Sequence, residues 1–214
     1  MKRRYQGVTA YVGLPGSGKT YSLAKVGLDA MRRGREVWSN TDHTMKEPWL
    51  TGAKPFASFD EFMGIPDNAV IVWDELPLFV NARKWQDFPD GLLYRLTQIR
   101  KDGLELHFST IDWRMVDINV RRITFWVWEC EHALGPFHRK VLWPPEERRK
   151  KDDRPRRREL FKIRAEVGDA YNTLGKVSAP LAPPRLAVVG EPAGVPAPAG
   201  VQARPRRRRT AAIA

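Results

Sequence analysis

Short apolar runs alternate with helix-spaced apolar stripes along the first two-thirds of the chain. Gly7-Val-Thr-Ala-Tyr-Val12 is apolar and β-branched enough for a buried strand. Tyr21–Arg33 places Leu23, Val26, Leu28, Ala30 and Met31 on one helical face, and Gly34 closes that helix. Arg35–Asn40 reads as a second strand, and Thr41–Pro55, broken by Pro48 and Gly52, as a loop. Ser58-Phe-Asp-Glu61 has the spacing of a capping box and opens a short helix ending at Gly64, before a turn at Pro66–Asn68. Ala69-Val-Ile-Val-Trp73 is an uninterrupted apolar run, the signature of a strand buried on both faces. Asn81–Pro89, carrying Arg83, Lys84 and Trp85, reads as a loop. Leu92, Leu93, Leu96 and Ile99 form a stripe over Asp90–Arg100 that Gly103 stops. Strands are expected at Leu104–Thr110 and Arg122–Trp128, a short helix at Trp113–Val120, and a hairpin partner at Phe137–Trp143 across Gly135-Pro136. Strands alternating with helices predict an α/β fold: a mostly parallel sheet with helices on both faces.

The pattern stops at Pro144. Three parts are expected: a folded domain over 1–145, a charged and helical extension over 146–166 broken at Pro155, and a disordered Pro/Ala-rich basic tail over 167–214. The tail ends in a cluster of Arg204, Arg206, Arg207, Arg208 and Arg209. Net charge is +12, which favours a polyanionic partner. The arginine cluster admits three readings: DNA binding, docking on anionic lipid, and plain solubility, with DNA placed first. A single cysteine, Cys130, excludes an intramolecular disulfide, and a reducing cytoplasmic compartment is the default. No apolar run approaches the ~18 residues of a membrane span, so no integral membrane segment and no signal peptide are read.

The stretch Gly13-Leu-Pro-Gly-Ser-Gly-Lys-Thr20 sits between the first strand and the first helix. It fits a glycine, four residues, then Gly-Lys-Ser/Thr, in the strand–loop–helix context that pattern requires. Gly13, Gly16 and Gly18 let the backbone wrap so that successive N–H groups, including those of Ser17 and Lys19, face phosphate oxygens at a helix N-terminus. Lys19 is assigned to the β- and γ-phosphates and the Thr20 hydroxyl to Mg²⁺, which makes ATP and Mg²⁺ the expected ligands. Asp74-Glu75 follows the apolar strand about 55 residues further on. In P-loop proteins an acid there holds Mg²⁺, and the acid after it can act as general base on water.

Other residues carry weaker signals. Cys130, His132 and His138 match no zinc spacing well, and Cys130 reads as a small apolar strand residue. Trp126 and Trp128 share a strand face and read as packing. Arg100 is either a helix-end arginine favoured by the dipole or an arginine that reaches a neighbouring active site.

Over about Tyr5–Cys130 the chain resembles the zonular occludens toxin-like ATPases, the family of filamentous-phage assembly ATPases, which are related to phage packaging and DNA-translocating ATPases. The resemblance rests on Gly13–Thr20, Trp38-Ser-Asn40, Asp74-Glu75, Gln98-Ile-Arg100-Lys-Asp-Gly103 and the spacing to Asp117 and Arg121. It implies a strand inserted between the P-loop strand and the Asp74 strand. It also implies a homo-oligomeric ring with an arginine supplied in trans: Arg100, with Arg121 and Arg122 as competitors. Relatives place a γ-phosphate-sensing Gln where this chain has Ile111, so Thr110 becomes the substitute sensor. Relatives of filamentous phages continue into a membrane span, which is not seen here. The implied function is an ATP-hydrolysing motor that packages or translocates viral or mobile-element DNA during virion assembly, in the host cytoplasm or at the inner membrane or virion vertex. Capsid or membrane assembly proteins are its implied partners. Two alternatives stand beside it: extrusion of a filamentous virion with a membrane partner, and a nucleotide-gated DNA-binding protein with little turnover.

Overall fold

In the computed structural model, which describes residues 7–41, 49–78 and 91–171, the apolar runs become strands of one sheet. They are β1 (Val8–Val12), β2 (Val37–Asn40), β3 (Lys54–Phe56), β4 (Val70–Trp73), β5 (Glu105–Thr110), β6 (Thr124–His132), β7 (Phe137–Trp143) and β8 (Arg157–Lys162). The helices are α1 (Lys19–Met31), α2 (Phe59–Met63), α3 (Leu92–Gln98), α4 (Ile118–Ile123) and α5 (Ala165–Gly168). All described residues belong to one unit, Met1–Leu181; the other, Ala182–Ala214, lies outside them. Among the described residues no helix is long and apolar enough to cross a membrane.

The strand order is β3-β2-β4-β5-β1-β6-β7-β8. Pairs from β3 to β6 are parallel; β6–β7 and β7–β8 are antiparallel. As expected, a further strand, β5, separates the P-loop strand β1 from the Asp74 strand β4. Strand parity builds two cores. Ala10, Ile71, Trp73, Leu106 and Phe108 face α2, α3 and α4, which contribute Phe62, Leu96 and Val120. Tyr11, Val70 and Val72 face α1 and α5, which contribute Leu23, Ala24 and Val167. The capping box at Ser58 and Glu61 forms in both directions and starts α2 where the spacing predicts.

Three segments differ from expectation. Lys54 and Pro55, expected at the end of the loop Thr41–Pro55, form edge strand β3 with Phe56; Phe56 supplies a core residue packed at 5.0 Å on Trp73, and Pro55 is tolerated because an edge strand leaves one side unpaired. Trp113–Val120 divides into a 3-10 turn (Trp113–Met115) and the start of α4, which runs on to Ile123, so Arg122 lies in the last turn of a helix instead of opening a strand. The charged stretch 146–166 forms a 3-10 turn at Glu146–Arg148 and then β8, not an exposed helix. Its period is two: Phe161 stacks on Tyr21 of α1 at 5.4 Å and Glu159 pairs with buried Lys140 at 3.0 Å, while Arg158 and Leu160 turn away.

Two features of this packing are directly measurable. A Cβ on Gly27 of α1 would lie 2.4 Å from Cδ2 of Leu50, which is fully buried. Gly27→Val should therefore lower stability by about 1–3 kcal/mol, seen as a lower denaturant midpoint at unchanged slope. Burial between the sheet and α1 pushes the Cys130 thiol up to about 12, against the opposing charges of Lys140 and Lys19. Since the thiolate is the reactive form, alkylation near pH ~8 should be slow in the folded protein and fast in denaturant.

Candidate active site

The parallel register brings the carboxyl ends of β1, β4 and β5 to one edge, and the loop Gly13–Thr20 leaves from it. The Gly13 N–H donates to the Thr110 carbonyl of β5 at 3.2 Å. A Cβ at Gly13 would stand 2.2 Å from the Cys130 carbonyl oxygen of β6, a backbone atom with no freedom to yield. Gly18 caps α1 at φ 84, a left-handed conformation suited to glycine. The next two residues turn inward. Lys19, buried, donates from Nζ to the Leu14 carbonyl at 3.1 Å. The Thr20 hydroxyl donates to Asp74 Oδ2 at 3.2 Å, across a sequence separation of 54 residues.

Asp74 is buried and tightly held. The Asn40 side chain at the end of β2 grips its peptide from both sides: the Asp74 N–H donates to Asn40 Oδ1 at 2.8 Å, and Asn40 Nδ2 donates to the Asp74 carbonyl at 3.0 Å. Trp49 Nε1 donates to the same Oδ1 at 3.0 Å. Ser109 of β5 donates its hydroxyl to Asp74 Oδ1 and accepts the Glu75 N–H at 2.8 Å. That bond holds Glu75 at φ 51, a conformation costing on the order of 1–2 kcal/mol for a non-glycine residue. Burial pushes the Asp74 carboxyl above its usual range; hydrogen bonds from Ser109 and Thr20 and the charge of Lys19 oppose the shift. Glu75 is raised by burial and by Asp74, again against Lys19. A hydroxyl and a carboxylate converging on one point are hard oxygen donors of the kind Mg²⁺ takes. A carboxylate raised toward neutral pH beside them is suited to accept a proton from water.

Lys19, Thr20, Asp74 and Glu75 thus meet as the sequence indicates, with Gly13, Gly16, Ser17 and Gly18 forming the loop. The hydroxyl of Thr110, the expected sensor, donates to the Asp112 carbonyl at 2.8 Å, within the following turn, and is not directed at Asp74. Parity explains the correction. Phe108 and Thr110 share the face of the α2–α4 core, so Ser109 turns toward the loop, and the register Trp73↔Phe108 sets Ser109 beside Asp74.

Arg100, expected to reach a neighbouring active site, does not stand at the edge that carries Asp74. The helix α3 leads into the start of β5, so its end lies at the opposite, amino-terminal edge. There the Arg100 guanidinium sits 5.1 Å from the Phe125 ring centroid, next to Gly7. Arg121, paired with Glu147 at 2.7 Å, and exposed Arg122 end α4 just before Thr124, which pairs with Val8 at that same amino edge. The arginine that follows the carboxyl end of β5 is Arg114, exposed in the 3-10 turn Trp113–Met115.

One contact had no sequence signal. His138 of β7 sets Nε2 3.0 Å from the Gly16 carbonyl, so that nitrogen carries the proton. A Cβ at Gly18 would meet Phe161 at 3.0 Å and His138 at 3.3 Å. The β7–β8 pair therefore braces the outside of the loop, and His138 faces the backbone of Gly16. Arg83, Lys84, Trp85, Arg204 and Arg206–Arg209 lie outside the described residues.

No protein-family model matches the chain, and no curated protein matches it by sequence. Solved structures do. The N-terminal domain of zonular occludens toxin from Neisseria meningitidis superposes with a TM-score of 0.55 at 18% identity, covering 78% of this chain and 98% of that one. The genome packaging NTPase B204 from Sulfolobus turreted icosahedral virus 2, in complex with ATP-gammaS, gives 0.51 at 11% identity over 73% and 97%. B204, the DNA-packaging ATPase from Sulfolobus turreted icosahedral virus, gives 0.51 at 10% over the same shares. At these identities what is shared is the fold, an α/β architecture with a mostly parallel sheet flanked by helices.

Proposed function

We propose that the protein is a Mg²⁺-dependent ATPase that moves viral or mobile-element DNA during virion assembly. The observation that carries the hydrolytic part is the meeting of Thr20 and Asp74 at 3.2 Å beside Glu75. In this reading the loop N–H groups and Lys19 bind the phosphates. Thr20 and Asp74 would hold Mg²⁺, which would supply neutralisation of the phosphate charge. Asn40 and Ser109 fix the Asp74 peptide and carboxylate. Glu75, anchored through its N–H by Ser109, orients a water and accepts its proton. The DNA part is supported by the likeness to structures named as packaging ATPases and by the positive charge of the chain. The likeness to the toxin domain favours a second version, extrusion of a filamentous virion with a membrane partner.

A shared site in an oligomer is part of the proposal. Arg114 stands exposed near the phosphate edge with exposed Ile111, Met115 and Ile118 around it, a composition suited to contact with another copy. It replaces Arg100 as the first candidate for supply in trans.

Phosphate release and binding of a fluorescent ATP analogue test the site. Lys19→Ala should lose both affinity and turnover. Glu75→Gln should keep nucleotide yet turn over at least ~100-fold more slowly. Wild-type turnover in both variants would remove the assignment. Ser109→Ala should lower kcat by ~10-fold or more with little change in KM, since it acts on the placement of Asp74 and Glu75; Thr110→Val should leave kcat near wild type. In mixing experiments, inactive Arg114→Ala and Lys19→Ala subunits should restore part of each other's turnover. Full activity of Arg114→Ala alone as an oligomer would rule that arginine out.

A further inference from the structure

Positive charge is unevenly placed. The first 136 residues hold eighteen Lys and Arg against seventeen Asp and Glu, whereas residues 137–171 hold twelve against seven. Within that segment Arg139 pairs with Glu131, Arg149 with Glu129, and Lys140 and Arg157 with Glu159. Arg154, Arg156, Arg158, Lys162 and Arg164 are exposed and form no ion pair among the described residues. All five lie on β8 or next to it.

Parity separates the two faces of this strand. Glu159 and Phe161 turn toward Lys140 and Tyr21. Arg158, Leu160 and Lys162 turn the other way, and Leu160 is 65% exposed. The register Lys162↔Phe137 and Leu160↔Arg139 sets Phe137, 43% exposed, and Arg139 on the same face. Arg158 and Lys162 are four residues apart, ~13 Å along the strand. Among the described residues nothing covers this sheet face, which bears separated, unpaired cations and an exposed aromatic ring.

We propose that the outer face of β7–β8 is a docking surface for nucleic acid. The proposal rests on the DNA-motor reading and locates a contact in the folded part of the chain, apart from the arginine cluster at 204–209. Arginine forks match phosphate geometry, and an exposed Phe offers a stacking surface to a base. The exposed large apolar residues on β7 and β8 are Phe137 and Leu160, with Leu134 and Ile163 just beyond the strand ends; against five unpaired cations these are dispersed and favour a phosphate backbone over insertion into lipid. Pro155 and the run Arg156–Arg158 oppose pairing of this edge with another copy of the strand. The inner face of the same two strands touches the phosphate loop, through His138 at the Gly16 carbonyl and Phe161 at Gly18. A strand of nucleic acid on the outside is therefore one sheet thickness from the loop, and its binding should alter ATP turnover.

The test uses the full chain and a short fluorescent oligonucleotide, single- and double-stranded, titrated from ~50 to ~200 mM salt. The double variant Arg158→Ala/Lys162→Ala is compared with wild type and with a variant whose Arg206–Arg209 are alanine. The wing variant should bind at least about tenfold more weakly. Its log–log salt slope should be shallower by ~0.7–0.9 per lost contact. Its basal ATP turnover and thermal midpoint should be unchanged and its stimulation by DNA lost; Arg158→Lys with Lys162→Arg should restore binding. Unchanged affinity and slope in the wing variant, with wild type binding DNA, would overturn this surface and leave the motor reading intact. Absence of DNA binding by wild type would overturn both. Loss of binding to phosphatidylserine vesicles with DNA binding untouched would make the face a lipid contact and overturn the proposal.

Discussion

A buried carboxylate has to be held at the edge of this sheet, and much of the surrounding architecture does that. Taking Asp74 out of water disfavours its charged form, and the raised pKa records this. Ser109 from β5, and Thr20 and Lys19 from the start of α1, work against that penalty. The Asn40 amide adds a two-point grip on the peptide, in place of the ladder bonds that β4 no longer makes beyond Trp73. The acid is thereby fixed in space before any ligand arrives, and Glu75 is fixed with it through the Ser109 oxygen. A buried polar network of this kind is costly if half made, which gives each of its members a structural reason to be present.

The second constraint is close backbone approach. Gly13 lies against the Cys130 carbonyl and Gly18 against Phe161, so the phosphate loop is packed from the β6 side as tightly as from β5. The parallel half of the sheet supplies the chemistry. The antiparallel half, β6 to β8, supplies a wall behind the loop, with the Tyr21–Phe161 stack tying that wall to α1. Conformational events in the loop and events on the β7–β8 pair are therefore in mechanical contact.

Much of this was legible in the sequence, and the misses have common causes. The β1–loop–α1 unit and Asp74-Glu75 announce themselves by residue type and spacing, since tight turns, phosphate contact and an acid at a strand end leave few alternatives. Ser109 was hidden because the all-apolar run of β4 shows no parity, so which of the adjacent hydroxyls of β5 faces Asp74 follows only from the register between the two strands; Thr110 was equally plausible. Arg100 stands away from the site because a helix that feeds a parallel strand ends at that strand's amino end. The strand β8 was masked by charge: five of the eight residues Arg157–Arg164 are charged, and only the partners of Glu159 and Phe161 reveal the period of two. The brace from His138 joins residues 122 positions apart, beyond the reach of any local pattern.

The central claim is that Gly13–Thr20 and Asp74-Glu75 form one magnesium–nucleotide site. A crystal structure with Mg²⁺ and ATP-gammaS tests it most directly. The account predicts that Lys19 Nζ leaves the Leu14 carbonyl for the phosphates, and that the Thr20 hydroxyl turns from Asp74 to the metal while Asn40 and Ser109 keep their bonds. Nucleotide bound elsewhere, or bound with Lys19 still on Leu14 and no metal between Thr20 and Asp74, would contradict it.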